Sequence, residues 1–260
     1  MAPIKHRSRI HLLAAKEAPI VVILQRKRAK LFHIITVDTE RHLVTEGSWF
    51  RGRLHEMKCD ISFDGKFMVY LAIGKGSGKY TAWSGLCRLP WLKTLVESDN
   101  PGINWGGGYF CDRNVLITNG WEKVSPAADI PFTLTSEPLT YFAAENRGML
   151  YQKFARDGFT PIGDDGWGKR PSLHHPELKV SYLGYENGDQ FFFSLDERPD
   201  LLDGANWATW DSGHNLWVAR PGIVEQYTLD DLRSGAPSYT LNVDQFEPPP
   251  KPDRSVEQQS

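Results

Sequence analysis

The sequence predicts an all-β chain folded as a β-propeller, most simply of five blades with about four antiparallel strands each. Three observations carry that expectation. Short β-branched runs dominate, and helical periodicity is hardly sustained anywhere, broken at Pro90, Pro101, Pro126, Pro131 and Pro138. A strand, a tight polar turn and a second, strongly apolar strand recur five times. Those turns, taken at positions 17, 64, 112, 176 and 211, lie 47, 48, 64 and 35 residues apart, around the roughly 40 to 50 residues of a four-stranded blade.

The first unit holds strands at 10–13, 20–24 and 31–37, with a turn at Lys16-Glu17 and a basic turn at Arg26, Lys27, Arg28 and Lys30. The second, 59–72, turns at Asp64-Gly65, where glycine supplies the positive φ that a two-residue hairpin demands; later strands follow at 80–83 and 89–96. The third turns at Asp112-Arg113 after Gly106-Gly107-Gly108, which lets the chain enter an inner strand where backbones crowd near an axis. An insertion at about 121–147, rich in Pro, Ser and Thr and without alternation, interrupts it; loops of that length are functional or disordered. The fourth turns at His175-Pro176 and continues with a strand at 189–195. The fifth turns at Asp211-Ser212-Gly213 and adds strands at 223–229 and 239–246. A basic arm, 1–9, thus precedes one propeller domain, 10–246, and a Pro-rich tail, 247–260, follows as disordered polymer. The short last step makes a six-bladed ring the structural alternative.

Composition bounds the function. With 40% hydrophobic and 24% charged residues the chain is neither disordered nor collagenous. The longest clean apolar run, 19–24, is far below the roughly 20 residues of a membrane span, so no membrane association is expected. A pI of 6.5 argues against nucleic acid, although residues 1–60 hold 12 Lys/Arg against 6 Asp/Glu. Cys59, Cys87 and Cys111 fit neither a zinc spacing nor a disulfide framework, and the apolar run 10–15 is too short for a signal peptide. A reducing, cytoplasmic setting and a monomer are expected.

Asp60-Ile61-Ser62-Phe63-Asp64-Gly65-Lys66 resembles the Asp-x-Ser-x-Asp-Gly-Lys opening of blades in TolB-type and WD-repeat propellers, and 207–220 is a looser match to the same hairpin. The resemblance implies that the strand before the turn lines the central channel, which makes Asp60 the axial-pocket candidate. Such folds host both enzymes and binding scaffolds.

Other motifs carry no chemistry. The glycine-rich 74–79 lacks the spacing of a phosphate loop. His174 and His175, adjacent on a strand, would point to opposite faces, and Asp164-Asp165-Gly166 lacks the spacing of a calcium loop. No metal and no cofactor is expected. Among the nine tryptophans, Trp83, Trp207 and Trp217 read as core. Trp49, Trp105, Trp121 and Trp167, near loops or strand ends, read as candidates for a binding surface, together with Phe132 and Tyr141 of the insertion. Glycoside hydrolysis needs two carboxylates about 5 to 10 Å apart, but Asp112 and Asp211 lie at the turn ends of their strands, away from Asp60. No nucleophile elbow and no Ser/His/Asp order is present. The expected function is a non-catalytic protein-interaction scaffold whose partner is another protein. The alternative is a carbohydrate-active enzyme or lectin using the axial pocket.

Overall fold

A computed structural model describes residues 8–74, 81–100, 105–121, 129–137, 147–164, 166–183 and 190–250. Blade one contains β1 (Arg9–Ala14), β2 (Ile20–Arg28), β3 (Leu31–Asp38) and β4 (Leu43–Phe50), antiparallel in chain order. Blade two contains β5 (Arg53–Leu54), β6 (Asp60–Ile61), β7 (Phe67–Ile73), β8 (Ala82–Arg88) and β9 (Thr94–Asn100). Its β5 and β6 pair with successive halves of β7 and together serve as one innermost strand. Blade three contains β10 (Gly108–Phe110), β11 (Val115–Asn119) and β12 (Thr133–Glu137), and a helix, α1 (Arg147–Arg156), follows it. Blade four contains β13 (Thr160–Ile162), β14 (Gly166–Lys169), β15 (Leu178–Leu183) and β16 (Gln190–Leu195). Blade five contains β17 (Trp207–Trp210), β18 (Leu216–Arg220), β19 (Ile223–Tyr227) and β20 (Tyr239–Asn242), with a short helix, α2 (Leu229–Ser234), before its last strand. The chain is an all-β, five-bladed propeller, as the repeat predicts. Among the described residues no helix is long and apolar enough to cross a membrane.

Side-chain alternation explains why the sheets form a ring. On β2, Val21 and Ile23 enter one core cluster with Trp207 and Trp217 of blade five, while Val22 and Leu24 enter another with Met68 and Tyr70 of blade two. On β7 the next alternation repeats this: Met68, Tyr70 and Ala72 face blade one, and Phe67 and Val69 face Phe110 and Leu116 of blade three. A strand apolar on both faces needs a neighbour on each side, and each buried Val or Ile contributes about 1.5–3 kcal/mol when it has one.

The hairpin of blade two shows what its motif builds. Ser62 Oγ donates to Asp64 Oδ1 at 2.6 Å and accepts the backbone N–H groups of Lys66 and Phe67. Gly65 sits at φ 70°, the left-handed region a Cβ disfavours. Gly107, at φ 71°, comes so close to blade two that a Cβ would collide with the Lys58 carbonyl, which is the axial crowding expected of that glycine run.

Three details differ from the sequence expectation. Blade three shows three strands among the described residues, and β12 runs parallel to β11. The turn at His175-Pro176 joins the second and third strands of blade four, whose first hairpin is β13–β14; the helix and this hairpin account for the long 64-residue step. Helix α1 itself had no sequence prediction: only three turns long, it begins at the end of the insertion.

Among the described residues, no strand is shared between blades one and five where the ring closes. Ser8 lies beside blade five, its carbonyl accepting Gly222 N at 2.9 Å and its hydroxyl donating to Asp244. Gln25 Nε2 of β2 donates to Ser8 Oγ at 2.8 Å, to the Val243 carbonyl at 3.0 Å and to Asp244 Oδ1 at 3.2 Å. The chain continues over blade one, where Lys27 donates to the Phe246 carbonyl and Arg51 to that of Pro249. The first part of the predicted tail is therefore docked; 1–7 and 251–260 lie outside the described residues. Asp244→Ala removes the acceptor shared by Ser8 and Gln25 and is expected to cost about 1–3 kcal/mol in urea unfolding. An unchanged midpoint would show that the seam rests on apolar contacts alone.

Candidate functional site

Helix α1 fills the axis of the ring. Its Met149, Leu150 and Phe154 are buried, Met149 against Tyr109 and Ile117 of blade three. On its other side Tyr151 and Phe154 pack on Trp167 of blade four, with ring centroids 5.2 and 5.8 Å apart. The helix stops at Gly158, φ 80°, with Gly158 N bonded to the Ala155 carbonyl. Lys153 and Arg156 fall in the last turn, where the helix dipole favours cations.

Those two cations face the first strand of blade two. Arg156 clasps the Asp60 carboxylate with both terminal nitrogens, the longer contact being 3.3 Å, and donates from Nη1 to the Phe110 carbonyl at 2.8 Å. Asp60 Oδ2 also accepts Phe110 N at 2.9 Å. One buried carboxylate thus fastens blade two to blade three and to α1. Arg156 Nε reaches Asp157 Oδ1 at 2.7 Å, and Lys16 Nζ, from the turn of blade one, reaches Asp157 Oδ2 at 2.7 Å. Lys153 Nζ donates to the carbonyls of Met57 and Cys59 at 2.8 and 3.0 Å.

These groups border a cavity of about 40 Å³ lined by α1 and by the first strands of blades one, two and five. On that measure one water takes roughly 10–15 Å³, so the space suits two or three waters or one small ion. Electrostatics in it are strongly perturbed. Burial would raise the Asp157 carboxyl, but the Lys16 ammonium and Arg156 guanidinium outweigh it and hold the group down to about 2. Burial lowers Lys16 and Lys153, only partly opposed by Asp157 and Asp60 respectively. His11, also on the wall, is pushed well below its usual value by burial and by the nearby Lys153 and Arg9. Both carboxylates are engaged with cations, so the arrangement is built to hold charge in place.

Asp60 lines the cavity. The aromatic candidates are dispersed. Trp49 is half-buried and stacks on His33 with centroids 4.0 Å apart. Trp105 is half-buried against Gly120. Trp121 is buried and donates from Nε1 to the Gly107 carbonyl at 3.0 Å. Phe132, also buried, sits edge-on to Phe67 and Phe110. Trp167 is packed under α1, and Tyr141 lies outside the described residues. Only Trp121 and Phe132 share a cluster, the core between blades two and three.

Sequence reasoning missed His11, Lys16, Lys153, Arg156 and Asp157. Lys16 reads as a turn residue, and the others show no motif; the clue was the basic last turn of a short amphipathic segment ending in Asp157-Gly158. It also missed an apolar row on blade four. The register Ile162↔Gly166↔Ser181↔Phe192 places these residues on one face, which Leu183 shares two residues along β15. Ile162, Leu183 and Phe192 are 41%, 52% and 54% exposed, while Val180 and Tyr182 of the opposite face are buried toward blade five.

No family model matches the chain, and no curated protein matches it by sequence. Among solved structures, uncharacterized protein lmo1340 from Listeria monocytogenes EGD-e aligns with 85% of this chain and 62% of its own, at 7% identity and a TM-score of 0.34. The chain therefore spans less than two thirds of that structure, and a likeness this slight carries no argument.

Arg156→Met leaves Asp60 buried without its cation and is expected to cost about 3–5 kcal/mol in urea unfolding, partly recovered in the Asp60→Asn, Arg156→Met double variant. Equal stability of single variant and wild type would mean that Asp60 is solvated. Acid should act in two windows. His33 has no exposed surface, and burial with Lys27 nearby lowers it to about 4 despite Glu46 at 3.7 Å. The folded state thus binds fewer protons than the unfolded one, and stability of about 3 kcal/mol is lost as pH falls from 6.5 toward 4. A second loss, from Asp157, follows between about 4 and 2 by the same linkage. Melting temperatures across pH should fall less steeply below 6.5 in His33→Phe, and a slope identical to wild type would remove His33 as the cause.

Proposed function

We propose that this protein is a non-catalytic interaction propeller that docks another protein on the open face of blade four. The observation carrying this reading is the row of Ile162, Leu183 and Phe192: three large apolar side chains exposed on one sheet face while the opposite face is packed. Contiguous exposed apolar surface on an otherwise well-buried fold marks a binding surface. Leu173, 91% exposed, lies in the β14–β15 loop of the same blade. The axis supports the same reading. A glycosidase there would need two available acids, and a lectin space for a sugar ring, whereas Asp60 and Asp157 are paired with cations around a cavity of about 40 Å³.

The kinship of the Asp60–Lys66 hairpin to TolB-type or WD-repeat blades belongs to this proposal. So does the setting, a monomer in the reducing cytoplasm, in keeping with Cys59, Cys87 and Cys111 all being free thiols.

Phe192→Asp with Leu183→Lys tests the surface without touching the core. Tagged wild type, this variant and a variant with 122–146 replaced by a Gly-Ser linker are purified from the native host, and the partner is identified by mass spectrometry and titrated in purified form. The blade-four variant should keep the wild-type melting temperature and bind that partner at least ten times more weakly. Undiminished binding by it, or no stoichiometric partner with any of the three, overturns the proposal; binding lost only with the linker variant moves the surface to the insertion.

A further inference from the structure

The axial cavity holds more positive than negative charge. Lys16, Lys153 and Arg156 line it against only two carboxylates, Asp60 and Asp157. Arg156 and Lys16 are the direct partners of those carboxylates. Lys153 is not: its side chain is buried, and among the described residues its ammonium bonds only to the Met57 and Cys59 carbonyls. Two carbonyls use two of an ammonium's three donors and neutralise none of its charge. His11, 5% exposed, lines the same cavity with a buried Nε2 that has no hydrogen-bond partner. The Trp207 ring of blade five packs on the imidazole, with ring centroids 3.9 Å apart.

Positive charge therefore exceeds negative around this space, and both nearby carboxylates are already taken. A buried charge and a buried polar nitrogen each call for a partner. We propose that the axial cavity binds one small monovalent anion, of chloride to formate size, held by Lys153 Nζ and His11 Nε2. One negative charge balances the surplus of one positive. The volume, about 40 Å³, suits a single small ion. Lys16 and Arg156 add to the attraction without direct contact being required, because at low local dielectric their charges act over several ångströms. The anion also secures the Lys153 ammonium, which burial otherwise pushes toward the neutral form. Water could accept the same hydrogen bonds but leaves the charge unbalanced, so the choice of anion is the discriminating variable.

The full chain is exchanged into sodium gluconate at pH 7.5 and titrated with sodium chloride or sodium formate at constant ionic strength, following thermal unfolding and the heat of binding. A saturating rise in melting temperature is expected, with one-site heat of binding for the small anions and none for gluconate. Lys153→Met should abolish the anion dependence, and His11→Phe, which keeps the surrounding charges, should raise the half-saturating concentration at least tenfold. If Lys153→Met does not fold, chloride-35 line broadening by wild type and its loss in His11→Phe decide the matter. Equal melting temperatures in all three salts would leave the cavity to water and overturn the proposal. So would a linear, unsaturated rise preserved in both variants, which is a bulk salt effect.

Discussion

Sheets that are apolar on both faces govern this molecule. Val21 and Ile23 of β2 cannot be covered by the neighbour that covers Val22 and Leu24, since alternate residues of a strand point to opposite sides. Every such sheet requires two neighbours, and the arrangement that supplies them without a first or last sheet is a ring. At the seam between blades five and one, Ser8 and Gln25 meet Asp244 through polar side chains, and among the described residues no strand pairs the two blades.

The ring is least regular between blades three and four, and that irregularity organises the axis. Among the described residues the last strand of blade three runs parallel to β11, and helix α1 packs on blade three through Met149 and on blade four through Tyr151 and Phe154. The helix brings Lys153 and Arg156 to the centre, where Asp60 and the turn of blade one meet them. Removing charges from water is costly and is repaid only by close partners and complete hydrogen bonding. Arg156, Asp60, Asp157 and Lys16 satisfy that condition as a continuous chain of contacts. Lys153 and His11 do not satisfy it by themselves, which is why the cavity has a binding character.

One sheet face of blade four keeps large apolar side chains exposed. The row from Ile162 to Phe192 lies on the side of blade four turned away from blade five. Helix α1 packs on the opposite face of the same blade, through Trp167, whose register with Val180 and Phe193 turns it toward blade five.

Much of the fold was legible in the residues because it depends on local chemistry. Asp64-Gly65 specifies a turn through backbone dihedrals and short side-chain bonds, and runs such as 20–24 specify strands through β-branching and alternation. Repeating that unit gives the blade count. What spacing could not convey was anything made by residues distant along the chain. Trp121 and Phe132 read as loop aromatics, yet both pack into the core between blades two and three. Arg156 and Asp60 are 96 residues apart and show no motif. The sequence by itself determined the strands, turns and ring, since these follow from periodicity and dihedral preference. Tertiary structure alone decided which charges meet at the axis and which apolar face stays open, because burial and pairing are properties of packed neighbours.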